Sequence, residues 1–439
     1  MKKYTFMSLL SLFVIVGFTS FINPHTASAQ PVEWSESLIF PDDSWPSSFS
    51  SIAYGDEMYV LVGGGQIAYS SDAVNWESTG IIGNLSWVSY GDGKFVAVGK
   101  RSNDLPLVYT SSDGENWNSY DQNTSETSLP EITKTYGELS KVSYVYDTSN
   151  DRGLFVAVGI ERNMMIGTEE PYIIYSNDGV HWSKGEVEDN PLGVSSHLAA
   201  GYDQNGDVLL ISLLSTREDM MSPIIFEPLL SQDGGAHWFI PDETTGFNTI
   251  EGLEGHLRGQ MEYLNGEFII GGDHQIFTSK NGTDWIAKMV SGDASFAPRS
   301  ITYGDGLYIG VGYMQDSEWN EVLTYSFGGE VWEYLIPTLG TSDYMNASQI
   351  IYADGQFVIL GDANGSYYNQ SIFIFKNSEE SSTSSKSSSI FGTRFCSAGV
   401  TTFCRPQNGF INNNPLVNIY TELLGLYQQL LSAMQGQEN

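Results

Sequence analysis

The side chains with reactive potential in this 439-residue chain are unevenly spread. Of its eight arginines, Arg101, Arg162, Arg217, Arg258 and Arg299 fall in or beside long irregular stretches, Arg152 stands apart, and Arg394 and Arg405 lie near the C-terminus. Guanidinium groups gathered in one place hold carboxylates through paired hydrogen bonds. These five, with Lys141, His197, Trp319 and Tyr367, are therefore the candidate ligand-binding residues. Acids in the same stretches, among them Glu161, Glu169, Asp219, Glu254 and Asp316, could supply the two carboxyl groups that glycoside hydrolysis needs at a defined separation. Spacing selects no pair. The chain shows no Ser-His-Asp, zinc or phosphate-loop signature, and neither a metal nor a cofactor is expected.

Other acids belong to a phrase that returns along the chain. "SSDAVNW" begins at residue 70, "SSDGENW" at 111, "SNDGVHW" at 176, "SQDGGAHW" at 231, "SKNGTDW" at 279 and "SFGGEVW" at 326. In such a phrase the Ser and Asp side chains can cap backbone N–H groups across a turn, Gly supplies positive φ, and Trp offers a flat surface to a neighbour. Asp72, Trp76, Asp113, Trp117, Asp178, Trp182, Asp233, Trp238, Trp285 and Trp332 are thus read as structural, not as catalytic or metal-binding.

The elements that carry these residues are hairpins. "SIAYGDEMYVLVG" at 51, "WVSYGDGKFVAVG" at 87, "KVSYVYDTSNDRGLFVAVG" at 141, "HLAAGYDQNGDVLLIS" at 197, "QMEYLNGEFIIGG" at 260, "SITYGDGLYIGVG" at 300 and "QIIYADGQFVILG" at 349 each read as strand, turn, strand. A third strand runs into the phrase and a fourth starts at its Trp, so the unit is a four-stranded antiparallel meander. A repeat at this period is a unit that cannot bury its own apolar face. The seventh unit ends "SIFIFKNSEE" without a Trp, and "VEWSESLIF" around Trp34 matches the missing fourth strand. The N-terminal strand is expected to complete the last unit and close a ring, removing exposed strand edges.

The turns resemble the Asp-box, or BNR, repeat Ser-x-Asp-x-Gly-x-x-Trp, matched in full by Ser231, Asp233, Gly235 and Trp238. The other copies are one residue shorter, as in Ser111, Asp113, Gly114 and Trp117, or have Asn281 in place of Asp. The resemblance, over roughly residues 31 to 378, implies an all-β fold: a seven-bladed β-propeller of the sialidase-like and photosystem II assembly factor-like superfamily, with a short C-terminal helical tail. It implies no single activity, since it includes sialidases, xyloglucan-degrading hydrolases and sortilin-type receptors. Sialidases are similar to six-bladed rings with an Arg-Ile-Pro motif, and "SLIFPDDSW" has no Arg before Phe40-Pro41.

In such a ring the first hairpin turns and the Trp-ended turns share one face, with an insertion at 148 to 152. Long loops such as 99–106, 118–140, 160–171, 183–196 and 213–228 share the other, where a rigid scaffold places binding residues. That face would carry Met164, Met165, Met220, Met221, Trp319, Tyr344, Tyr367 and Tyr368 beside the five arginines.

The ends of the chain read differently. Residues 1–29 have two lysines, an apolar run and Ala27-Ser28-Ala29, the layout of a cleaved signal peptide, with an uncleaved anchor as the alternative. Residues 30–378 hold the ring and 379–390 a Ser-rich linker, while 391–439 carry Cys396 and Cys404, expected to form one disulfide, and an apolar stripe at 416, 420, 423, 427, 430 and 434. Self-association, partner docking and packing on the ring are all open to that helix. A net charge of -34 excludes nucleic acid as a partner. The reading is an exported or cell-surface (periplasmic) binding module for a glycan or protein, with an anionic group a candidate determinant. A glycoside hydrolase on the same ring is the alternative.

Overall fold

The computed structural model describes residues 33–39, 48–122, 129–189, 191–216, 224–242, 257, 259–273, 275–290, 296–314, 321–335, 345–363 and 370–376. The segments expected to form a signal peptide, a linker, a Cys396–Cys404 disulfide and a tail helix lie outside the described residues, as do Arg217, Arg258, Trp319 and Tyr367.

Seven antiparallel sheets form the blades of a β-propeller. Their innermost strands are Phe49–Gly55, Asn84–Gly91, Tyr136–Asp147, Val194–Tyr202, Glu262–Leu264, Phe296–Gly304 and Met345–Ala353, which number the blades one to seven. Each is followed outward by its hairpin partner and a third strand. Blade four departs from the pattern: its ladder has three strands, and its fourth position is held by His237–Trp238 with a single Leu230–Phe239 bridge. Glu33–Leu38 pairs antiparallel with Gln370–Lys376, so the first strand of the chain is the outer strand of blade seven, as its match to the missing strand predicts. Ile39 N–H continues the seam to the Gln370 carbonyl at 3.1 Å.

The Trp-ended turns join the blades. In the turn at Asp113, Ser111 Oγ donates to Asp113 Oδ1, the same oxygen accepts from the Glu115 and Asn116 N–H groups, and Trp117 Nε1 donates to the Gly114 carbonyl at 2.8 Å. The sixth copy has Gly328 where the others have Asp or Asn, and there Ser326 Oγ donates to the Val331 carbonyl while Trp332 keeps its bond to Gly329. Each turn docks on the preceding blade. Trp182 shares a core cluster with Val96 and Val98, Trp238 with Val156 and Val158, Trp285 with Leu209 and Ile211, and Trp76 with Val358 and Leu360 across the closure. Lys94, beside the first hairpin turn of blade two, donates to the Asp178 carbonyl in the turn of blade three, which places both turn types on one face.

Two spacing constraints shape the inner wall. Gly91 ends an innermost strand, and a Cβ there would overlap the Tyr144 ring of the next blade. Gly159 lies opposite a bulge between Leu139 and Lys141, where a Cβ would strike the Glu138 carbonyl. The same irregularity recurs at the start of the innermost strands of blades one, two, four, six and seven.

Candidate functional site at the channel and the long-loop face

The bulge fixes which side chain each blade sends toward the axis. Counted back from the aligned hairpins, one column holds Ser51, Trp87, Lys141, His197, Gln260, Ser300 and Gln349, the residues with which the seven hairpin phrases begin. Three of these side chains tie adjacent blades: Ser51 Oγ accepts from Val88 N–H at 3.2 Å, Ser300 Oγ from Ile350 N–H at 3.2 Å, and Gln349 Oε1 from Ile52 N–H at 2.8 Å. In blades two to four the column instead holds Trp87, Lys141 and His197, side chains too large or too charged for that role.

Lys141 is only 1% exposed. Its Nζ reaches past blade four to blade five, donating to the Met261 carbonyl and to Glu262 Oε1, both at 2.7 Å, and lies 4.5 Å from the Trp87 ring centroid. Burial pulls the Lys141 ammonium down from its ordinary range, and Glu262 partly restores it. His197 stands edge-on to Phe226 at 5.9 Å, with Nδ1 3.1 Å from Ser196 Oγ. Burial first, and the Lys141 charge second, push its pKa down to about 4, so the ring is neutral at physiological pH. Trp87, Lys141, Glu262 and Gln349 line a central cavity of about 270 Å³. Its size and polar lining suit water.

The structure thus places Lys141 on the central cavity and near enough to His197 for its charge to act there. The described arginines sit apart from them and from one another. Arg101 forms an ion pair with Asp121. Arg162 pairs with Glu169, directly opposite in the hairpin register, and its guanidinium lies 5.4 Å from the Tyr136 ring. Arg299 Nη1 donates to Asn346 Oδ1 at 2.6 Å and to the Ala347 carbonyl at 3.3 Å. Of the candidate acids, Glu161 is buried and holds Lys184 together with the Thr133 N–H and hydroxyl. Asp219, Glu254 and Asp316 lie outside the described residues. Among the described residues no group of three or more His, Cys, Asp or Glu is arranged to hold a metal ion.

Two features escaped the sequence reading. One is Asp362, 7% exposed at the long-loop end of a blade-seven strand, with Oδ2 3.4 Å from Asn346 Nδ2 and Oδ1 without a hydrogen-bond partner. Burial raises its carboxyl above the usual range, and Gln370, Asn346 and Arg299 only partly oppose this. The other is a hollow of about 480 Å³ between the loops of blades three and four, lined by Gly167, Thr168, Leu192, Gly193, Val194 and Ile224, among others. Met164, Met165, Ile166, Leu192 and Ile225 stand exposed on or around it, Met165 at 90%. The Met164-Met165 pair was legible as a loop feature. The hollow depends on how two blades splay, which no local phrase encodes.

No protein-family model matches the chain, and no curated protein matches it. Among solved structures, it is similar to a protein of unknown function from Dyadobacter fermentans at 12% identity, with TM-score 0.42, over 79% of this chain and 99% of that one. It is similar to the sialidase of Trypanosoma rangeli at 13% identity and TM-score 0.45, over 80% of this chain and 60% of that one. The phage phi92 endosialidase aligns at 8% identity and TM-score 0.44, over 87% of this chain and 75% of that one.

Proposed function

We propose that this protein is an exported binding module that presents its long-loop face to an extracellular partner, a protein segment in preference to a glycan. The observation that carries this is the hollow between blades three and four, with Met164, Met165, Ile166, Leu192 and Ile225 exposed around it. Exposed apolar side chains gathered at one hollow mark interaction sites, whereas scattered ones carry no meaning. Arg101 and Arg162 already engage Asp121 and Glu169, so they do not lead the reading toward an anionic ligand. Kinship with the Asp-box (BNR) repeat proteins belongs to the same proposal, supported by the hydrogen bonding of the Trp-ended turns, and export is supported by the lysine-led apolar segment at residues 1–29.

The test is binding of envelope proteins and arrayed glycans to variants of each face. Asp104→Arg, Met165→Arg and Leu192→Arg alter the long-loop face, and Val331→Arg alters a Trp-ended turn. Loss of a captured partner in at least one of the first three, with none in the last, is expected. Loss in Val331→Arg alone overturns the reading.

A glycoside hydrolase is the second reading, and Asp362 is the observation that favours it. A buried carboxyl whose pKa is raised above the ordinary carboxylate range is the kind of group a general acid requires. Turnover of a fluorogenic glycoside that Asp362→Asn abolishes would establish it; no turnover across a panel of glycosides and sialosides would end it.

A further inference from the structure

We propose that the hollow between blades three and four docks an apolar anchor carried on a basic segment of a partner protein. The inference rests on the binding-module reading and adds the chemistry of the partner. Part of the lining is backbone at Gly193, with φ of 148°, where a Cβ would lie 2.8 Å from both Leu214 Cδ1 and the Ser215 carbonyl, so the close approach of the two strands there requires glycine. Leu192, Val194 and Ile224 supply the apolar part of a lining that also includes Thr168, Glu169, Ser215 and Thr216. The exposed Met164, Met165 and Ile166 lead directly into Gly167 of that lining, and methionine's flexible thioether chain adapts to varied apolar surfaces.

The charge around the hollow sets the flanks of the partner. Glu169 lines the hollow, and Glu161, Glu170, Glu188 and Asp189 lie near its lining along the chain, against Lys134, Arg162 and Lys184. All three cations are already engaged: Lys134 with Glu170, Arg162 with Glu169, and Lys184 with Glu161. Glu188 and Asp189 are exposed beside Leu192, so the rim is net acidic within a chain of net charge -34. Such a rim repels acidic segments and steers basic ones, and the apolar hollow then holds the anchor.

The experiment uses the full chain and three fluorescein-labelled synthetic peptides that share a Phe-Leu-Phe anchor and carry lysine, serine or glutamate flanks. In fluorescence anisotropy the lysine-flanked peptide should bind at least ~10-fold tighter than the glutamate-flanked one at low salt, a gap that narrows as salt screens the rim. Met165→Asp and Leu192→Asp should each weaken it by ~10-fold through loss of apolar contact, and Val331→Asp should not. Equal binding of lysine- and glutamate-flanked peptides, or binding indifferent to both substitutions, overturns the proposal. A dimer of the full chain that Met165→Asp dissolves would also overturn it, in favour of a second copy as occupant. Hydrogen exchange on the peptide complex separates the two levels of inference. Protection at 164–169 and 192–194 supports the hollow. Protection confined to other long loops overturns the hollow and leaves the binding-module reading standing, and protection confined to the Trp-ended turns overturns both.

Discussion

On the turn face, six indoles each donate to a carbonyl three residues upstream, and five of them belong to the fully or nearly buried core. On the long-loop face, Met165 is 90% exposed, and the ionic contacts of Arg101 and Arg162 reach solvent. Both faces are made by the same hairpins. The turn face uses one local solution six times, so its polar groups are satisfied within each turn and its Trp seals the joint to the preceding blade. The loop face has a different segment on each blade and is held by contacts particular to each. The scaffold is thus stiff where it repeats and free to diverge where it does not, and divergence is where recognition resides.

The largest test of the repeated side is its closure. Deleting Glu33–Leu38 leaves Gln370–Lys376 as an open outer strand and should forfeit most of the ~5–15 kcal/mol of a domain's stability, seen as loss of a cooperative calorimetric transition. An unchanged melting curve would show that three strands suffice for blade seven. Next come the indoles. Trp238→Ala, at a fully buried site between blades three and four, should cost about 3–5 kcal/mol in urea denaturation, while Met165→Ala on the other face stays within about 0.5 kcal/mol. Equal effects would erase the contrast between the faces.

The channel lies between these extremes. Glu262→Gln leaves the buried Lys141 ammonium among neutral acceptors and the Trp87 ring, with no balancing charge. The loss should be about 2–3 kcal/mol, below that of a fully enclosed pair because Glu262 remains 31% exposed. Adding Lys141→Met should recover most of it, and a double-mutant cycle with no coupling would mean the two charges are solvated independently.

A smaller effect is set by pH on the turn face. Burial pushes the Asp72 carboxyl up, but the Asn75 and Val74 N–H groups outweigh it and hold it at about 2; at Asp113 the Asn116 side chain and backbone, opposed by burial, give the same result. The folded pKa is depressed, so the stabilisation is present above the unfolded value near ~3.9 and is lost as pH falls toward about 2. Melting temperature should decline through that window, and the decline should become shallower in Asp72→Asn and Asp113→Asn. These carboxylates are well exposed, so solvent keeps the effect small.

Legibility in the sequence followed the same division. The hairpins and the Trp-ended turns could be read because each is specified by turn chemistry within a dozen residues, and the closing strand because it matches the fourth strand that the seventh unit lacks. The pairing of Arg162 could not be read from its neighbour Glu161: adjacent residues of a strand point to opposite faces, so Arg162 meets Glu169 across the hairpin while Glu161 turns to Lys184. Lys141 was legible as the head of a hairpin phrase, but its partners lie 120 and 121 residues away. Only ring curvature brings them together. The column from Ser51 to Gln349 was visible in the aligned phrases, and its odd members, Trp87, Lys141 and His197, were the available signal for the channel.

Asp362 offers the finest probe of the loop face. Its carboxyl is buried with one oxygen unpaired, and burial raises its pKa despite Gln370, Asn346 and Arg299. For an acid raised on folding, the favourable state is the protonated one. Stability is therefore fully present below the unfolded pKa and is lost as pH rises through the folded one, so the fold is less stable at neutral pH than in acid. Asp362→Asn keeps a neutral amide of the same shape beside Asn346 and Gln370. It should raise stability at neutral pH by about 0.5–1 kcal/mol and leave it unchanged in acid. The check is a pair of urea titrations, one well below and one well above the ordinary carboxylate range. A loss at neutral pH would show that attraction from Arg299 outweighs burial. The Arg299–Asn346–Asp362 row would then be a satisfied ion network, and the general-acid reading of Asp362 would fall with it.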